Sequence, residues 1–338
     1  MLSTIDTSSG RNPPNVGSVN HNDARTWGTS AWLPHAEAWV REWARGAGVG
    51  LLSEFMLYRN RPWSAHYTLE SDMGRLWFKA SCGPLGFEPA LQTRIAAFAP
   101  ELVHDPLAID SDRGWMLTLD QGTPVGNDHN GTLVDWLTFV LQIVSLQQGL
   151  MGHRERVLAT GIPDCSPSTV VDRFDRLVVL LSQSPPDHPS HLSDLVVAEL
   201  AAVRADVAHA VEVLMDGPLG PSWQHGDAHL GNAFTRADGV AVFDFGDSQW
   251  GHVLETLVVP YSILETEHPD WWNQVESAWR HAWGLDEATF NAMWAAARRT
   301  QAVNRAATWH AINECVSAEP HHRWADRARH HLMRTLDV

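Results

Sequence analysis

Residues 221–251 bring together side chains that could bind a metal ion and handle a proton. Asp227 stands five positions before Asn232, and Asp244 follows a second short apolar run. The turn dipeptide Asp238-Gly239 separates two apolar runs, which predicts a hairpin. Because a hairpin brings its ends together, we expect Asn232 beside Asp244, with Asp227 on the loop leading in. Carboxylate and amide oxygens of this kind suit Mg²⁺, which also takes water and substrate phosphates as ligands.

A second candidate is the one lysine of the chain. Lys79 is the only lysine among 24 basic side chains, and it ends the apolar run Leu76-Trp77-Phe78. Arginine serves wherever a surface cation is needed, but its planar fork does not replace a compact ammonium. Lys79 is therefore either a lysine without a specific role or a residue at a position that requires an ammonium group.

The first segment resembles a known signature. His225-Gly226-Asp227-Ala228-His229-Leu230-Gly231-Asn232, followed by Asp244-Phe245-Gly246, is similar to the motif of aminoglycoside phosphotransferases and related small-molecule kinases, which have a protein-kinase-like fold. The resemblance covers roughly residues 31–310. It implies that Asp227 takes up the acceptor's proton or orients its hydroxyl, and that Asn232 and Asp244 hold Mg²⁺ between the phosphates.

The resemblance also implies a nucleotide site. Lys79 would pair with the nucleotide phosphates and be steadied by Glu88, which opens the next helix. Ser64, in the segment between the first two strands of the sheet, would touch a phosphate, and Asp120 belongs to the connection that meets the adenine. The implied reaction moves the γ-phosphate of ATP or GTP to a hydroxyl of a small metabolite or antibiotic, of an aminoglycoside or amino-sugar type.

Hydrophobic patterning predicts the elements that must position these groups. Short aromatic and β-branched runs separated by turn residues precede Gly122, and helical periodicity follows it. Thr132 and Asp135 form a capping-box pattern at the first of these helices. The prediction is a two-lobed α+β fold of the protein-kinase type, with a small antiparallel-sheet lobe at 29–122 and a larger helical lobe at 123–338. Residues 1–28, rich in Ser, Asn, Gly and Pro, are expected to be a mobile tail.

Composition limits the partners. Of the 338 residues 44% are hydrophobic, which allows a sizeable core, and the formal charge is −16. So acidic a surface repels nucleic acid and anionic lipid and favours a cationic small molecule, and the resemblance also implies a sugar-like one. The sequence has no run of 18 apolar residues, no signal-peptide pattern, and three widely spaced cysteines. We therefore expect a cytoplasmic protein, monomeric or homodimeric, without a membrane or nucleic-acid partner.

Two other functions compete with the kinase. His225, Asp227, His229 and Asp244 could form the metal site of a hydrolase, although this leaves Lys79, Glu88 and Asn232 without roles. The chain could also be an inactive kinase-like protein that only binds nucleotide.

Several neighbouring side chains have a structural and a functional interpretation. His225 is expected to brace the loop, and His229 to pack or cap. Asp247 could support the metal or contact the acceptor. Four acidic residues could line an acceptor rim, although a solvated helix face is the favoured interpretation for each: Glu255, Glu265, Glu267 and Asp270.

Overall fold

The structure is a computed structural model that describes residues 5–6, 21–127, 131–237, 239–315 and 323–337. The strands are β1 (Ile5–Asp6), β2 (Met56–Asn60), β3 (Ser64–Ser71), β4 (Gly74–Ser81), β5 (Ala108–Asp110), β6 (Trp115–Leu119), β7 (Asp164–Cys165), β8 (Pro221–Gln224), β9 (Ala233–Arg236), β10 (Gly239–Val242) and β11 (Gln249–His252). The helices are α1 (Leu33–Ala47), α2 (Glu88–Phe98), α3 (Leu133–Leu150), α4 (Arg154–Leu158), α5 (Val170–Ser182), α6 (Asp194–Asp216), α7 (Val258–Glu267), α8 (Pro269–Ala282), α9 (Glu287–Cys315) and α10 (Arg327–Met333). The chain divides into two compact units, Met1–Gly122 with Ile312–Ala318 and Thr123–Ala311 with Glu319–Val338.

The first unit is built on a sheet with the strand order β1-β5-β6-β4-β3-β2, antiparallel except that β1 runs parallel to β5. Its core is aromatic. Phe78 of β4 is fully buried, and its ring centroid lies 5.5 Å from that of Trp115 and 5.8 Å from that of Trp39 on α1. These edge-to-face contacts pack α1 against β4, the strand that carries Lys79.

The structure differs from the predicted tail at residues 21–28. Trp27 is 5% exposed and its ring nitrogen donates to the carbonyl of His21 at 3.1 Å. The carbonyl of Asn22 accepts from the backbone of Gly83 at 3.1 Å. These bonds hold a polar segment that composition alone assigned to a mobile tail. Ile5–Asp6 form β1, and the predicted tail residues 1–4 and 7–20 lie outside the described part of the chain.

The second unit combines helices with two small sheets, β7-β11-β8 and the hairpin β9–β10. The predicted capping box opens α3: the Thr132 hydroxyl accepts from the Asp135 backbone at 3.2 Å, and the Asp135 carboxylate accepts from the Thr132 backbone at 2.8 Å. A core of apolar side chains joins α5, α6, α9 and α10. The observed architecture, an antiparallel sheet before a helical part, confirms the predicted α+β fold class.

One stretch of the described residues, Leu133–Leu158, is long and apolar enough to span a membrane by length and composition, with a mean hydropathy of 1.2. It is not an unbroken apolar run, because it contains Asp135 and several glutamines. Trp136, Phe139 and Ile143 are at most 1% exposed. These side chains belong to the core of the second unit.

Candidate active site

The β9–β10 hairpin brings the two predicted metal ligands to one end. Ala233 pairs with Val242, and one step further the backbone of Phe243 donates to the carbonyl of Asn232 at 3.1 Å. Asp244 therefore follows immediately after the residue paired with Asn232. It has a φ of 63°, the only positive value at a non-glycine residue in the described ranges. This sparsely populated conformation turns the chain sharply as it leaves the hairpin.

The loop from Gln224 to Asn232 is tied to this hairpin by hydrogen bonds. The side-chain nitrogen of Asn232 donates to the carbonyl of Asp227 at 2.9 Å. Because the nitrogen is used in this way, the amide oxygen is the atom of Asn232 suited to a cation. His225 has no exposed surface, its Nε2 lies 2.9 Å from the carbonyl of Phe243, and its ring stacks on Phe245. It braces the loop as predicted.

Two side chains hold the carboxylate of Asp227. Nε2 of His229 lies 3.3 Å from Oδ2, and Nη2 of Arg305 lies 3.5 Å from Oδ1. Nδ1 of His229 accepts from the backbone of Gly231 at 3.0 Å, so a neutral ring carries its proton on Nε2 and donates it to Asp227. His229 thus caps the loop, as predicted, and also orients the carboxylate.

These contacts keep Asp227 ionised. Burial opposes the charge, but the hydrogen bond from His229 and the positive charge of Arg305 outweigh it and lower the pKa of Asp227 to about 2. About a third of the side chain, 32%, remains exposed. The carboxylate is therefore fixed, charged and open to a partner.

Gly226 lets this loop approach the segment after Asp244. Its φ is +79°, and a Cβ there would lie 1.8 Å from the carbonyl oxygen of Asp247. Only glycine fits this backbone conformation and this distance. Sequence reasoning missed this requirement, since nothing local shows which segment approaches the loop.

Asp247 and Arg305 form an ion pair beside Asp227. Nη1 of Arg305 contacts Oδ1 of Asp247, and the guanidinium lies 5.7 Å from the ring centroid of Trp309. Burial raises the pKa of Asp247, an effect that Arg305 partly offsets. Arg305 is 13% exposed and lies on α9, and sequence reasoning did not single it out. Nothing in the local pattern of that arginine-containing helix marks it.

A pocket opens next to Gly226. Asp247 and Arg305 line it, together with amide and hydroxyl side chains and Glu255. Glu255 is 1% exposed and accepts from the hydroxyl of Thr300 at 2.6 Å and from the amide of Asn304 at 3.0 Å. Burial raises the pKa of Glu255 to about 7, although these bonds oppose the shift.

Of the four acidic residues predicted to lie on solvent-exposed helix faces, Glu255 is buried and the other three are exposed. Glu255 lies in the buried 3-10 turn Val253–Leu257, where every residue is buried. Glu265, Glu267 and Asp270 are exposed. The sequence spacing did not separate them, because a short 3-10 turn lacks the periodicity that marks a buried face.

The first unit contains the predicted nucleotide-site pair. Nζ of Lys79 lies 2.6 Å from Oε1 of Glu88, and the hydroxyl of Ser81 donates to Oε2 at 2.8 Å. Lys79 is central in the sheet, paired with His66 and Met116 on either side. The side chains of Lys79 and Glu88 are 11% and 1% exposed. A buried ion pair contributes little net stability, which favours a functional reason for it.

The other two residues predicted to contact the nucleotide make hydrogen bonds within the first unit. Ser64 is 2% exposed, and its hydroxyl lies 2.9 Å from Nε2 of His66 within β3. Contact of that hydroxyl with a phosphate stays a prediction. The backbone nitrogen of Asp120 donates to the carbonyl of Arg75 at 2.9 Å, and its carboxylate accepts from Gly122 at 3.1 Å. Asp120 shapes the turn after β6.

The donor set at the hairpin fits Mg²⁺. The Asn232 amide oxygen and the Asp244 carboxylate are hard oxygen ligands at one end of a rigid element, and Mg²⁺ binds through few protein groups plus phosphates and water. Among the residues the structure describes, no group of three or more His, Cys, Asp or Glu side chains could hold a metal by itself.

Comparisons with known proteins agree with this geometry. Residues 163–290 match the sequence model of the phosphotransferase enzyme family, a range that includes Asp227, Asn232 and Asp244. No curated protein matches the sequence.

Solved structures share the fold at low identity. Choline kinase LicA from Streptococcus pneumoniae superposes with a TM-score of 0.62 at 12% identity, over 90% of this chain and 99% of that chain. Macrolide 2'-phosphotransferase MphH from Brachybacterium faecium gives 0.56 at 16%, over 87% and 97%. The GDP complex of aminoglycoside 2'-phosphotransferase-IIIa gives 0.52 at 13%, over 89% and 98%. The fold is protein-kinase-like, and residues 163–290, a little over a third of the chain, are similar to the phosphotransferase enzyme family.

Proposed function

We propose that this kinase transfers the γ-phosphate of ATP or GTP to a hydroxyl of a small molecule in the cytoplasm, with Mg²⁺ as cofactor. Lys79, held by Glu88, binds the nucleotide phosphates. Asp227 receives the acceptor hydroxyl. Structural neighbours named as choline, macrolide and aminoglycoside enzymes support an acceptor of small-molecule size.

The metal ligands of the proposal are Asn232 and Asp244. Bound there, Mg²⁺ would neutralise charge on the phosphate oxygens. The chain itself contributes the fixed hairpin end that presents an amide oxygen and a carboxylate together.

An Asp227 carboxylate with a pKa of about 2 is a weak base, and a weak base is sufficient for this reaction. Phosphoryl transfer passes through a loose transition state, so catalysis depends mainly on positioning and charge neutralisation. The ionised carboxylate accepts the hydrogen bond of the acceptor hydroxyl and aims its oxygen at phosphorus. It receives the proton late, as the new oxygen–phosphorus bond forms.

The observation that carries the proposal is the set of three contacts that hold Asp227, one hydrogen bond and two ion-pair contacts. His229 and Arg305 each contact one carboxylate oxygen, and Asn232 holds the main-chain carbonyl. A carboxylate held so firmly beside a magnesium-type donor pair is suited to orienting an alcohol.

The test is acceptor-dependent phosphate transfer from Mg·ATP and Mg·GTP. A panel of amino alcohols, sugars, amino sugars, aminoglycosides and macrolides is screened by mass spectrometry for a phosphorylated product. Asp227→Asn is expected to lower kcat by about 10²–10⁴-fold with nucleotide affinity kept. Asp187→Asn, which alters an exposed carboxylate, is the matched control. Equal turnover by the two variants would remove Asp227 from the chemistry.

The hydrolase alternative has less support. His225 is buried, its Nε2 faces a backbone carbonyl and its ring stacks on Phe245, so it is badly placed to ligate a metal. An inactive nucleotide-binding protein would have no need of the three contacts that orient Asp227.

A further inference from the structure

The pocket beside Gly226 is lined by side chains that recognise hydroxyl groups. Three amides and two hydroxyls dominate the lining: Gln224, Gln249, Gln301, Thr256 and Thr308. Each of these groups can both donate and accept, as a sugar hydroxyl does. No aromatic side chain is among the lining residues in the described chain, so the pocket lacks the face that binds a quaternary ammonium.

The carboxylates of the pocket already have partners. Arg305 contacts Asp247 through Nη1 and approaches Asp227 through Nη2. Glu255 is bonded to Thr300 and Asn304. An acceptor ammonium would have to compete with a guanidinium that is 13% exposed and fixed between two carboxylates. The local arrangement thus works against the cationic acceptor that the net charge of the whole chain suggested.

Gln301 supplies an independent sign of a missing ligand. It is 6% exposed and lines the pocket, and its side-chain oxygen is buried without a hydrogen-bond partner among the described residues. Buried polar atoms are nearly always paired, and an orphan costs free energy. A ligand hydroxyl that donates to this oxygen would satisfy it.

One face of α9 presents these groups together. Gln301, Arg305 and Thr308 are spaced i, i+4 and i+7, which places them on one side of a helix, and all three line the pocket.

We infer that the acceptor is a neutral polyhydroxylated molecule bound by Gln301, and that Arg305 selects it over its amino analogues. Arg305 excludes the ammonium by occupying its place between the carboxylates, and Gln301 accepts a hydrogen bond from an acceptor hydroxyl. This inference rests on the proposed function, because it assigns the pocket to the acceptor of that reaction.

The experiment compares matched probes that differ by one amino group: D-glucose with D-glucosamine, and myo-inositol with scyllo-inosamine. Kanamycin and choline are included as polycationic and quaternary probes. Binding to the full chain with Mg·AMP-PNP is followed by saturation-transfer NMR, and phosphate transfer from Mg·ATP gives kcat/KM. The wild type should favour the neutral member of at least one pair by about tenfold or more in both readouts.

Two substitutions test the roles of Arg305 and Gln301. Arg305→Met keeps the aliphatic stem and frees both carboxylates, so it should shift the neutral-to-amine ratio toward the amine by about tenfold. The ratio cancels any general loss of turnover from a displaced Asp227. Gln301→Met should weaken both members of each pair by about fivefold to tenfold and leave the neutral-to-amine ratio nearly unchanged. Arg204→Met, which removes an exposed arginine paired with Asp175, is the control and should leave the ratio as it is.

The outcomes separate this inference from the proposed function. The inference would be overturned if the wild type preferred the amine or bound neither neutral probe. It would also be overturned if Arg305→Met and Arg204→Met showed equal neutral-to-amine ratios. Any phosphate transfer seen in these cases would still support the kinase. Selective binding of neutral probes without transfer to any acceptor would keep the pocket assignment and refute the proposed function. A lowered melting temperature would show that Arg305→Met is misfolded. In that case the Gln301→Met result decides whether the pocket binds the acceptor.

Discussion

Asp227 shows how much a single side chain depends on residues that are distant in sequence. The signature predicted Asp227 and Asn232, and the structure joins them through the 2.9 Å bond from the Asn232 amide. Arg305 comes from a helix 78 positions further on, and no spacing rule links it to the loop. Short-range pairs in one loop can be predicted from sequence, whereas contacts made by packing of a distant helix cannot.

His229 is expected to contribute to turnover by orienting the carboxylate. His229→Ala removes the donor to Oδ2 of Asp227 and the cap on Gly231, so kcat should fall about tenfold to a hundredfold, with nucleotide KM little changed. Steady-state kinetics measure both constants. His209→Ala, at a side chain that is 75% exposed, is the control. Unaltered kcat in His229→Ala would contradict the orienting role.

The Lys79–Glu88 pair is expected to act on nucleotide binding. Lys79→Met should weaken Mg·AMP-PNP binding by at least about tenfold, and Glu88→Gln by less, since the ammonium survives without its anchor. Isothermal titration calorimetry gives the Kd values. Lys79→Arg should not restore the wild-type Kd, because a guanidinium does not reproduce a compact ammonium. Wild-type affinity in Lys79→Met would exclude the phosphate role.

At the scale of elements, patterning predicted what local chemistry dictates. α2 begins at Glu88 with proline in its first turn, and α3 begins after the Thr132 cap, both as predicted. The hairpin β9–β10 also forms, although Asp238 of its turn lies outside the described residues. Patterning missed β1 and the turns at 21–28, because these polar segments are held by long-range bonds and by the burial of Trp27.

Gly226 gives the clearest element-scale prediction. Gly226→Ala would place a methyl group 1.8 Å from the carbonyl oxygen of Asp247 at a φ of +79°, so the loop must move away from the segment after Asp244. We expect a loss of roughly 2–4 kcal/mol in the free energy of unfolding and a kcat at least about a hundredfold lower. Urea denaturation and kinetics measure these.

Gly46→Ala is the matched control for that substitution. Gly46 lies within α1, and a Cβ there meets no atom within 4 Å. Alanine in a helix interior should stabilise the protein by about 0.5–1 kcal/mol without changing kcat. Equal effects of the two substitutions would show that the contact between Gly226 and Asp247 is unimportant.

At the scale of the whole molecule, net charge and the lining of the pocket lead to different expectations for the acceptor. The formal charge of −16 favours cations in general. The pocket contains the arginine that neutralises its own carboxylates, so local pairing and overall charge lead to different expectations. The charge of a chain describes its surface field, and recognition is decided by the few groups that line the site.

Buried Glu255 should give the whole protein a pH-dependent stability. Burial raises its pKa from 4.5 to about 7, so between these values the folded protein keeps a proton that the unfolded chain has lost. The free energy of unfolding should therefore fall as pH rises through this window, by on the order of 1–3 kcal/mol. Urea denaturation of wild type and Glu255→Gln at pH 5 and pH 8 measures the difference.

Glu255→Gln should show a flatter dependence than the wild type, and Glu265→Gln, at an exposed position, should keep the wild-type slope. Identical slopes for all three proteins would mean that Glu255 is not protonated in the folded state at pH 5.

The central claim is that the γ-phosphate passes intact to an acceptor hydroxyl oriented by Asp227. The most direct measurement is the ratio of phosphorylated acceptor to ADP formed in one reaction mixture, for wild type and Asp227→Asn. We predict one phosphorylated acceptor per ADP in the wild type and almost no product from Asp227→Asn. One inorganic phosphate per ADP with unmodified acceptor, or full transfer by Asp227→Asn, would contradict the account.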